Sequence, residues 1–153
     1  EDVSAQDFYR STEIDVLART LWGEARGEGD QGMHAVANVV LNRVRVAQAK
    51  GAFWWGNTII DVCQKPYQFS CWNRADPNFR KLRDVDTHDL YFVTALRLAR
   101  RGVIGCLADM TGRATHYHAD HIKPYWAVGA EPSAKIGRHI FYDLQGHDQK
   151  GGV

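Results

Sequence analysis

Two carboxylates, Glu24 and Glu28, stand four residues apart where a helical pattern runs into glycines. Because the C-terminal end of a helix carries partial negative charge, a carboxylate there is disfavoured in its ionised form. Partial burial beside Trp22 would raise its pKa further, whereas Arg19 and Arg26 would oppose the rise. A raised pKa suits a general acid that donates a proton near neutral pH. The same residues also fit a solvated helix end with surface ion pairs, so the local pattern leaves both interpretations open.

A second group with chemical potential is a run of histidines late in the chain. Residues two apart on a strand share a face, so His116 and His118 could present two imidazoles to one zinc ion. A zinc-dependent peptidase or amidase is therefore one alternative. In the other, the imidazoles bond to backbone or substrate, and the site needs no metal or other cofactor. Candidates for a third zinc ligand are His121, His139, Asp109 and Asp120.

Aromatic residues are concentrated in two glycine- and proline-containing stretches. Flat aromatic faces pack against the C–H surfaces of sugars, so they fit a glycan groove, but core packing explains them equally well. They are Trp54, Trp55, Tyr67, Phe69, Trp72, Tyr125 and Trp126.

The cysteine pattern gives little indication of chemistry. Cys63 and Cys71 could pair in an oxidising compartment or remain buried thiols. Cys106 stands between a glycine and a leucine and has no evident catalytic partner.

Size and charge favour one compact domain. The 153 residues are 44% hydrophobic and 24% charged, with a formal net charge of +1. That balance predicts neither nucleic-acid binding nor membrane association, and no run approaches the roughly 20 apolar residues of a membrane span. We expect a monomer with a polar lead-in at 1–10, a single catalytic domain at 11–145 and a flexible tail at 146–153.

The helical patterns come first along the chain. Ser11 or Thr12 is predicted to cap a helix that runs to the glycines after Glu24. A second helix is expected from residue 30 or 31 towards Ala49, a short one around 58–62, and a third long one from a cap at Asp86 or Thr87 to residue 101.

Strand-like composition follows at 114–119 and 139–142, separated by an irregular segment at 123–137. The expected fold is therefore α+β, mostly helical, with a small late sheet or hairpin.

In order along the chain, several segments resemble the SleB-type cell-wall hydrolases, the group that includes the spore-cortex-lytic enzymes. The resemblance runs from about residue 14 to residue 142. Its most specific part is Gly-Glu-Ala-Arg-Gly-Glu at 23–28 followed by Val-Leu-Asn-Arg at 40–43. Further matches are 17–22, Gly32, 35–39, 57–59, 68–70, 112–118, Trp126 and 135–141.

This resemblance implies a lysozyme-like fold with Glu24 as the catalytic acid. It implies that Ser70 and Tyr117 orient sugar N-acetyl groups or the attacking hydroxyl, and that Phe69 and Trp126 form apolar walls. His116 and His118 are expected to face the same cleft, where their titration would affect activity near neutral pH. Their triplet with Tyr117 differs from the spore enzymes, where aromatic residues are expected, and is similar to versions in Gram-negative bacteria and their phages.

The implied reaction is cleavage of the bond between N-acetylmuramic acid and N-acetylglucosamine in peptidoglycan. A lytic transglycosylase needs one acid and gives 1,6-anhydro products, whereas an inverting muramidase needs a second acid about 6.5–9.5 Å away. Glu28 is the motif-linked candidate for that second acid, but it fits a structural role equally well, holding Arg26, Arg43 or loop amides. A non-catalytic glycan-binding module is a third class. The expected location is the cell envelope: periplasmic, secreted or phage-associated.

Overall fold

A computed structural model describes residues 3–145 and has the predicted order, helices first and a small sheet last. The helices are α1 (Val3–Ala25), α2 (Gly29–Ala49), α3 (Ile59–Gln64), α4 (Pro77–Asp84) and α5 (Leu90–Val103), and single 3-10 turns lie at Arg26–Glu28, Ser70–Trp72 and Tyr125–Ala127. The strands are β1 (His116–Ala119), β2 (Ala134–Ile136) and β3 (His139–Tyr142). The predicted α+β class is therefore confirmed.

The core lies where α1, α2 and α5 pack together and the sheet covers them. Leu17 and Leu21 on α1 and Val36 and Val40 on α2 are fully buried, in keeping with apolar residues spaced three or four apart on one helical face. Leu98 completes this contact from α5. Across residues 3–145, none of the helices combines the length and apolar character that crossing a membrane requires.

The sheet is antiparallel, with β3 in the middle and β1 and β2 on either side. Tyr117 on β1 lies opposite Phe141 on β3, and both side chains are buried against the helices. Strand β2 lies inside the proline- and glycine-containing segment at 123–137, for which no strand was predicted. A three-residue edge strand is specified by its partner strand and not by a periodic pattern of its own.

The first helix begins earlier than predicted. Val3–Ala25 is continuous, so the expected lead-in at 1–10 is helical from residue 3 onward. Thr12 does not cap the helix, because its hydroxyl donates to the carbonyl oxygen of Phe8 one turn earlier, at 3.0 Å. Residues 1–2 and the tail predicted at 146–153 lie outside the described residues.

Helix α5 also begins at a different cap from the predicted one. Asp89 is the cap, because its Oδ1 accepts the backbone N–H groups of Tyr91 and Phe92, at 2.9 and 3.1 Å. Asp86 instead accepts the N–H of His88 in the preceding turn. The helix continues past the expected stop to Val103.

Helix α4 was not predicted, although its start carries a recognisable signal. Asp76 caps the helix by accepting the N–H of Asn78 at 2.8 Å, and Pro77 occupies the first turn, where a missing N–H costs nothing. The predicted short helix at 58–62 is confirmed as α3, with Thr58 as its cap.

We expect Asp89→Ala to lower the free energy of unfolding by about 1–2 kcal/mol, because the cap and the bond from the Trp22 indole to the same oxygen are lost together. The matched control Asp86→Ala should change it by less than about 0.5 kcal/mol. Urea unfolding of both variants measures the difference. Equal losses would show that Asp89 has no special role at the start of α5.

Candidate active site

Glu24 lies in the last turn of α1, where its two carboxylate oxygens accept hydrogen bonds from different parts of the chain. The Tyr117 hydroxyl of β1 donates to Oε1 at 2.7 Å. The backbone N–H of Cys71, in the 3-10 turn before α4, donates to Oε2 at 3.3 Å. Three segments distant in sequence therefore converge on one carboxyl group.

Gly23 allows this convergence. A Cβ atom at Gly23 would lie 2.8 Å from the Cβ of Cys71 and 2.9 Å from its Sγ, closer than nonbonded carbon and sulfur atoms approach. The absence of a side chain lets the turn carrying Cys71 pack directly against α1 and bring its N–H to Glu24.

Glu24 faces a pocket of about 270 Å³ between the sheet and the segment that follows β1. Most of its walls are apolar or aromatic. The lining residues are Glu24, Tyr117, His118, Ala119, Ile122, Pro124, Trp126 and His139.

The pKa of Glu24 is raised, chiefly because burial disfavours the charged carboxylate. The hydrogen bonds from Tyr117 and Cys71 lower it, and the negative charge of Asp76 raises it further. Burial outweighs these bonds, so more of the carboxyl remains protonated at neutral pH than in an ordinary glutamate. The effects that the sequence left in balance are thus decided in favour of a raised pKa, and general-acid chemistry is open to this group.

Burial was a predicted cause of the raised pKa, but neither of the two arginines predicted to oppose it is directed at Glu24. Arg19 donates to the carbonyl oxygens of Leu82 and Val85, at 2.6 and 3.0 Å. Arg26 lies over the ring of Trp22, 4.0 Å from its centroid.

Tyr117 is held as a hydrogen-bond donor. Burial raises its pKa well above the ordinary value, so its hydroxyl keeps its proton. Its ring packs against those of His139 and Phe141, with centroids 4.9 and 5.5 Å away. These contacts fix the direction in which the hydroxyl donates.

Arg43 supports this part of the site from within the core. It is fully buried, and it donates to the carbonyl oxygen of Thr115 at 2.7 Å and to the side-chain oxygen of Gln68 at 3.2 Å. Its guanidinium lies 4.7 Å from the ring centroid of Trp55. Burial lowers the pKa of Arg43 to about 9, which leaves it charged at neutral pH. The residue thus joins α2 to the start of the sheet and to the loop before Cys71.

Glu28, the second carboxylate of the motif, faces another partner. It accepts the backbone N–H of Arg138 at 2.8 Å and pairs with the same residue's guanidinium at 3.1 Å. These bonds lower the pKa of Glu28. Gly137 precedes this contact with φ of +58°, and a Cβ there would collide with the Glu28 carboxylate. Glu28 therefore holds the β2–β3 turn, and its partner is Arg138 and not Arg26 or Arg43.

The other sequence-predicted residues separate into two groups. Tyr117, His118 and Trp126 line the pocket. Phe69 and His116 are each 1% exposed, so they contact core neighbours and offer no wall to a sugar.

Phe69 and His116 instead support neighbouring parts of the site. The carbonyl oxygen of Phe69 accepts the N–H of Trp72, which anchors the turn containing Cys71. His116 packs against Trp126, with ring centroids 5.0 Å apart. Ser70 is exposed and directly precedes Cys71.

The zinc alternative requires free imidazole lone pairs, and His118 does not offer one. Its Nδ1 donates to the carbonyl oxygen of Ala119 at 2.7 Å, and its Nε2 accepts the hydroxyl of Tyr142 at 2.9 Å, with the tautomer assigned from these partners. Asp109 accepts the N–H groups of Thr111 and Arg113 in its own loop. Among residues 3–145, no group of three or more His, Cys, Asp or Glu side chains could hold a metal.

Three pocket residues were not predicted as site residues, Ala119, Ile122 and Pro124, and His139 was predicted only as a candidate zinc ligand. His139 precedes Phe141 by two positions on β3 and so lies on the Tyr117 side of the sheet. The strand composition of 139–142 could have indicated it once the register with β1 was known. Burial lowers the pKa of His139, so it is neutral at neutral pH.

The cysteines near the site are thiols. Cys63 and Cys71 are buried and free, and Cys106 is exposed and free. Burial raises the pKa of Cys63 to about 12 and raises that of Cys71 as well, so neither is an activated nucleophile.

With this geometry established, comparison with known proteins gives the family. The model of the Cell Wall Hydrolase family matches residues 27–142, more than half of the chain. This chain belongs to the cell wall hydrolase family. The matched range begins three residues after Glu24, so the assignment of that residue depends on its position in this cell wall hydrolase and not on the family model.

Relatives and solved structures agree with the SleB-type resemblance. The spore cortex-lytic enzyme of Bacillus cereus is 30% identical over 136 residues, which cover 87% of this hydrolase and 45% of the relative. The crystal structure of the Bacillus cereus SleB catalytic domain has a TM-score of 0.66 and 28% identity, covering 87% of this hydrolase and 91% of that chain.

A second solved structure is the catalytic domain of a germination-specific lytic transglycosylase, SleB, from Bacillus anthracis. It has a TM-score of 0.64 and 31% identity, covering 86% of this hydrolase and 93% of that chain. This hydrolase spans less than half the length of the full spore cortex-lytic enzyme it matches, and nearly all of the two catalytic domains.

We expect Tyr117→Phe to raise the pKa of Glu24 further, because the phenol hydrogen bond favours the ionised carboxylate and is lost. Tyr142→Phe is the matched control, since that hydroxyl bonds to His118 and not to Glu24. Carbon-13 NMR titration of the glutamate carboxyl groups measures the shift. An unchanged Glu24 titration in Tyr117→Phe, or an equal shift in both variants, would contradict the assigned bond.

The two glutamates should affect stability with opposite dependence on pH. The folded pKa of Glu24 is raised, so its favourable contribution is lost as pH rises above the ordinary value of 4.5. Glu24→Gln should therefore gain stability relative to the parent as pH increases. The folded pKa of Glu28 is lowered, so its contribution is present above pH 4.5 and is lost as pH falls.

Glu28→Gln should therefore cost about 1 kcal/mol at neutral pH and progressively less in acid. Urea unfolding of the parent and both variants between pH 3 and pH 8 would test this pair of predictions. If the free energies of unfolding of both variants follow the same trend with pH, the opposite pKa shifts assigned to Glu24 and Glu28 are wrong.

Proposed function

We propose that this cell wall hydrolase cleaves the glycosidic bond between N-acetylmuramic acid and N-acetylglucosamine in peptidoglycan, as a lytic transglycosylase. The observation that carries the proposal is the single carboxyl group of the pocket. Glu24 has a raised pKa and two fixed hydrogen-bond donors, and the described residues that line its pocket include no second carboxylate.

In the first step, neutral Glu24 donates its proton to the glycosidic oxygen. The bond between that oxygen and the anomeric carbon breaks, and the muramic ring develops oxocarbenium character. Glu24 becomes a carboxylate at this point. The donors from Tyr117 and Cys71 stabilise the charge that forms, in a site where burial makes each hydrogen bond stronger than in water.

In the second step, the Glu24 carboxylate removes the proton of the muramic C6 hydroxyl. The C6 oxygen bonds to the anomeric carbon and closes a 1,6-anhydro ring, and Glu24 is again protonated for the next cycle. One carboxyl group serves both steps. No activated water enters the reaction, so a second catalytic carboxylate is not needed.

The remaining pocket residues are suited to binding and orienting a sugar. Trp126 and Ile122 offer apolar surface, and His118 and the neutral His139 offer imidazole edges. We assign the exposed Ser70, which begins the turn containing Cys71, to bonding an N-acetyl group or hydroxyl. The Bacillus anthracis relative is described as a lytic transglycosylase, which supports this choice of reaction.

Hydrolysis by a muramidase is the second candidate. The electrostatic effect of Asp76 on Glu24 is the observation that favours it. The Asp76 charge raises the pKa of Glu24, so the two carboxyl groups are within electrostatic range. One oxygen of Asp76 caps α4. In this reaction Asp76, and not Glu28, would activate the water, because Glu28 is bonded to Arg138.

The proposed location follows from the substrate. Peptidoglycan lies outside the cytoplasmic membrane, so we propose that the enzyme acts in the cell envelope, in the periplasm or as a secreted or phage-borne protein.

Mass spectrometry of products from purified peptidoglycan tests the proposal. The parent should release 1,6-anhydromuropeptides, and Glu24→Gln should lower the rate about 10²–10⁴-fold, because the proton donor is lost while Gln still accepts the Tyr117 bond. The matched variant Glu28→Gln should give the same anhydro products, assayed at a temperature where it is folded.

Each alternative has its own outcome. Products with free reducing ends would show that the reaction is hydrolysis and not transglycosylation. Asp76→Asn would then be the next variant to assay. Sedimentation with cell walls without soluble products would indicate a glycan-binding module. Full activity in Glu24→Gln would overturn the assigned acid.

A further inference from the structure

A second groove, which we call the arginine groove, lies at the start of α4. It has a volume of about 470 Å³ and carries three arginines and one aspartate, so it is positively charged. Its lining residues are Arg74, Ala75, Asp76, Pro77, Phe79, Arg80 and Arg83.

Two of these arginines have charge available for a ligand. Arg83 pairs with Asp84 at 3.0 Å. The side chains of Arg74 and Arg80 are exposed and form no hydrogen bond or ion pair within residues 3–145, and the Arg80 charge lowers the pKa of Asp84 one turn later. A guanidinium group offers a planar fork of N–H donors that matches the two oxygens of a carboxylate.

The arginine groove borders the catalytic end of α1. Cys71, whose N–H bonds to Glu24, precedes Arg74 by three residues, which can separate their Cα atoms by at most about 11 Å. Arg26, two residues after Glu24, donates to the side-chain oxygen of Asn78 at 3.0 Å and so joins α4 to the same end of α1. Asp76 lines the groove and also acts on the pKa of Glu24.

Peptidoglycan offers one set of groups that matches this charge. Where a stem is attached, the lactyl carboxyl of the muramic acid is an amide and the sugars carry no charge, whereas the peptide stem carries carboxylates and branches from the muramic acid at the bond to be cleaved. An extended stem of four residues reaches about 14 Å, which is enough to extend from a sugar at Glu24 into the groove.

We propose that the arginine groove binds the carboxylates of the peptide stem, through Arg74 and Arg80, so that the enzyme selects glycan strands that carry stems. This inference rests on the proposed function, because it takes peptidoglycan as the substrate. Phe79 provides apolar surface along which the stem lies.

The test measures binding separately from cleavage. In a Glu24→Gln background, calorimetry compares soluble glycan chains of matched length, either with stems or without stems and with the lactyl carboxyls converted to uncharged amides, prepared free of teichoic acid. We expect stem-bearing chains to bind about 5- to 20-fold more tightly, since two exposed charge pairs are gained. Adding Arg74→Gln and Arg80→Gln should remove that preference and leave the affinity for stem-free chains unchanged.

The matched control adds Arg100→Gln and Arg101→Gln, which change the net charge equally. Both residues are exposed near the end of α5, about 15 Å along the helix from Asp89, which contacts Trp22 near Glu24. This control should retain the preference for stems.

Several results would overturn the groove assignment. These are equal binding of both chain types or equal loss in both arginine variants. Because binding is read without turnover, failure of the cleavage reaction in the parent enzyme would refute the proposed function and not the groove.

Discussion

The organisation of the site depends on holding one carboxyl group, that of Glu24, away from water while leaving it open to a pocket. Burial disfavours its charge, and the hydrogen bonds from Tyr117 and Cys71 only partly restore it. Each of those donors must therefore be fixed by other parts of the fold. The late sheet fixes Tyr117, and the turn before α4 fixes Cys71.

Arg43 shows how the core supplies that fixation. Its bonds to Thr115 and Gln68 join α2 to the residue before β1 and to the loop before the Cys71 turn. Both donors to Glu24 are thus connected to one buried side chain. A buried arginine without a carboxylate partner is costly to desolvate, and its bonds to oxygens of two segments offset that cost.

The two carboxylates of the sequence motif have different roles because their surroundings differ. Glu24 meets two neutral donors and apolar walls, whereas Glu28 meets the guanidinium and backbone N–H of Arg138. The first environment favours a proton and the second favours a charge. Glu28 contributes indirectly, since it holds the β2–β3 turn beside His139.

The sequence by itself determined the α+β class, the face of α2, the position of α3 and the β3 segment, and it singled out Glu24 as the candidate acid, because helical periodicity and a long ordered motif are local signals. Only the tertiary structure distinguished the role of Glu24 from that of Glu28 and buried Phe69 and His116. It also brought His139 into the pocket and placed Arg74 and Arg80 beside the site. Those outcomes depend on strand register and on contacts between segments up to 110 residues apart, such as that between Glu28 and Arg138. Local patterns cannot encode them, since the same side chain is catalytic, structural or buried according to what the rest of the chain packs against it.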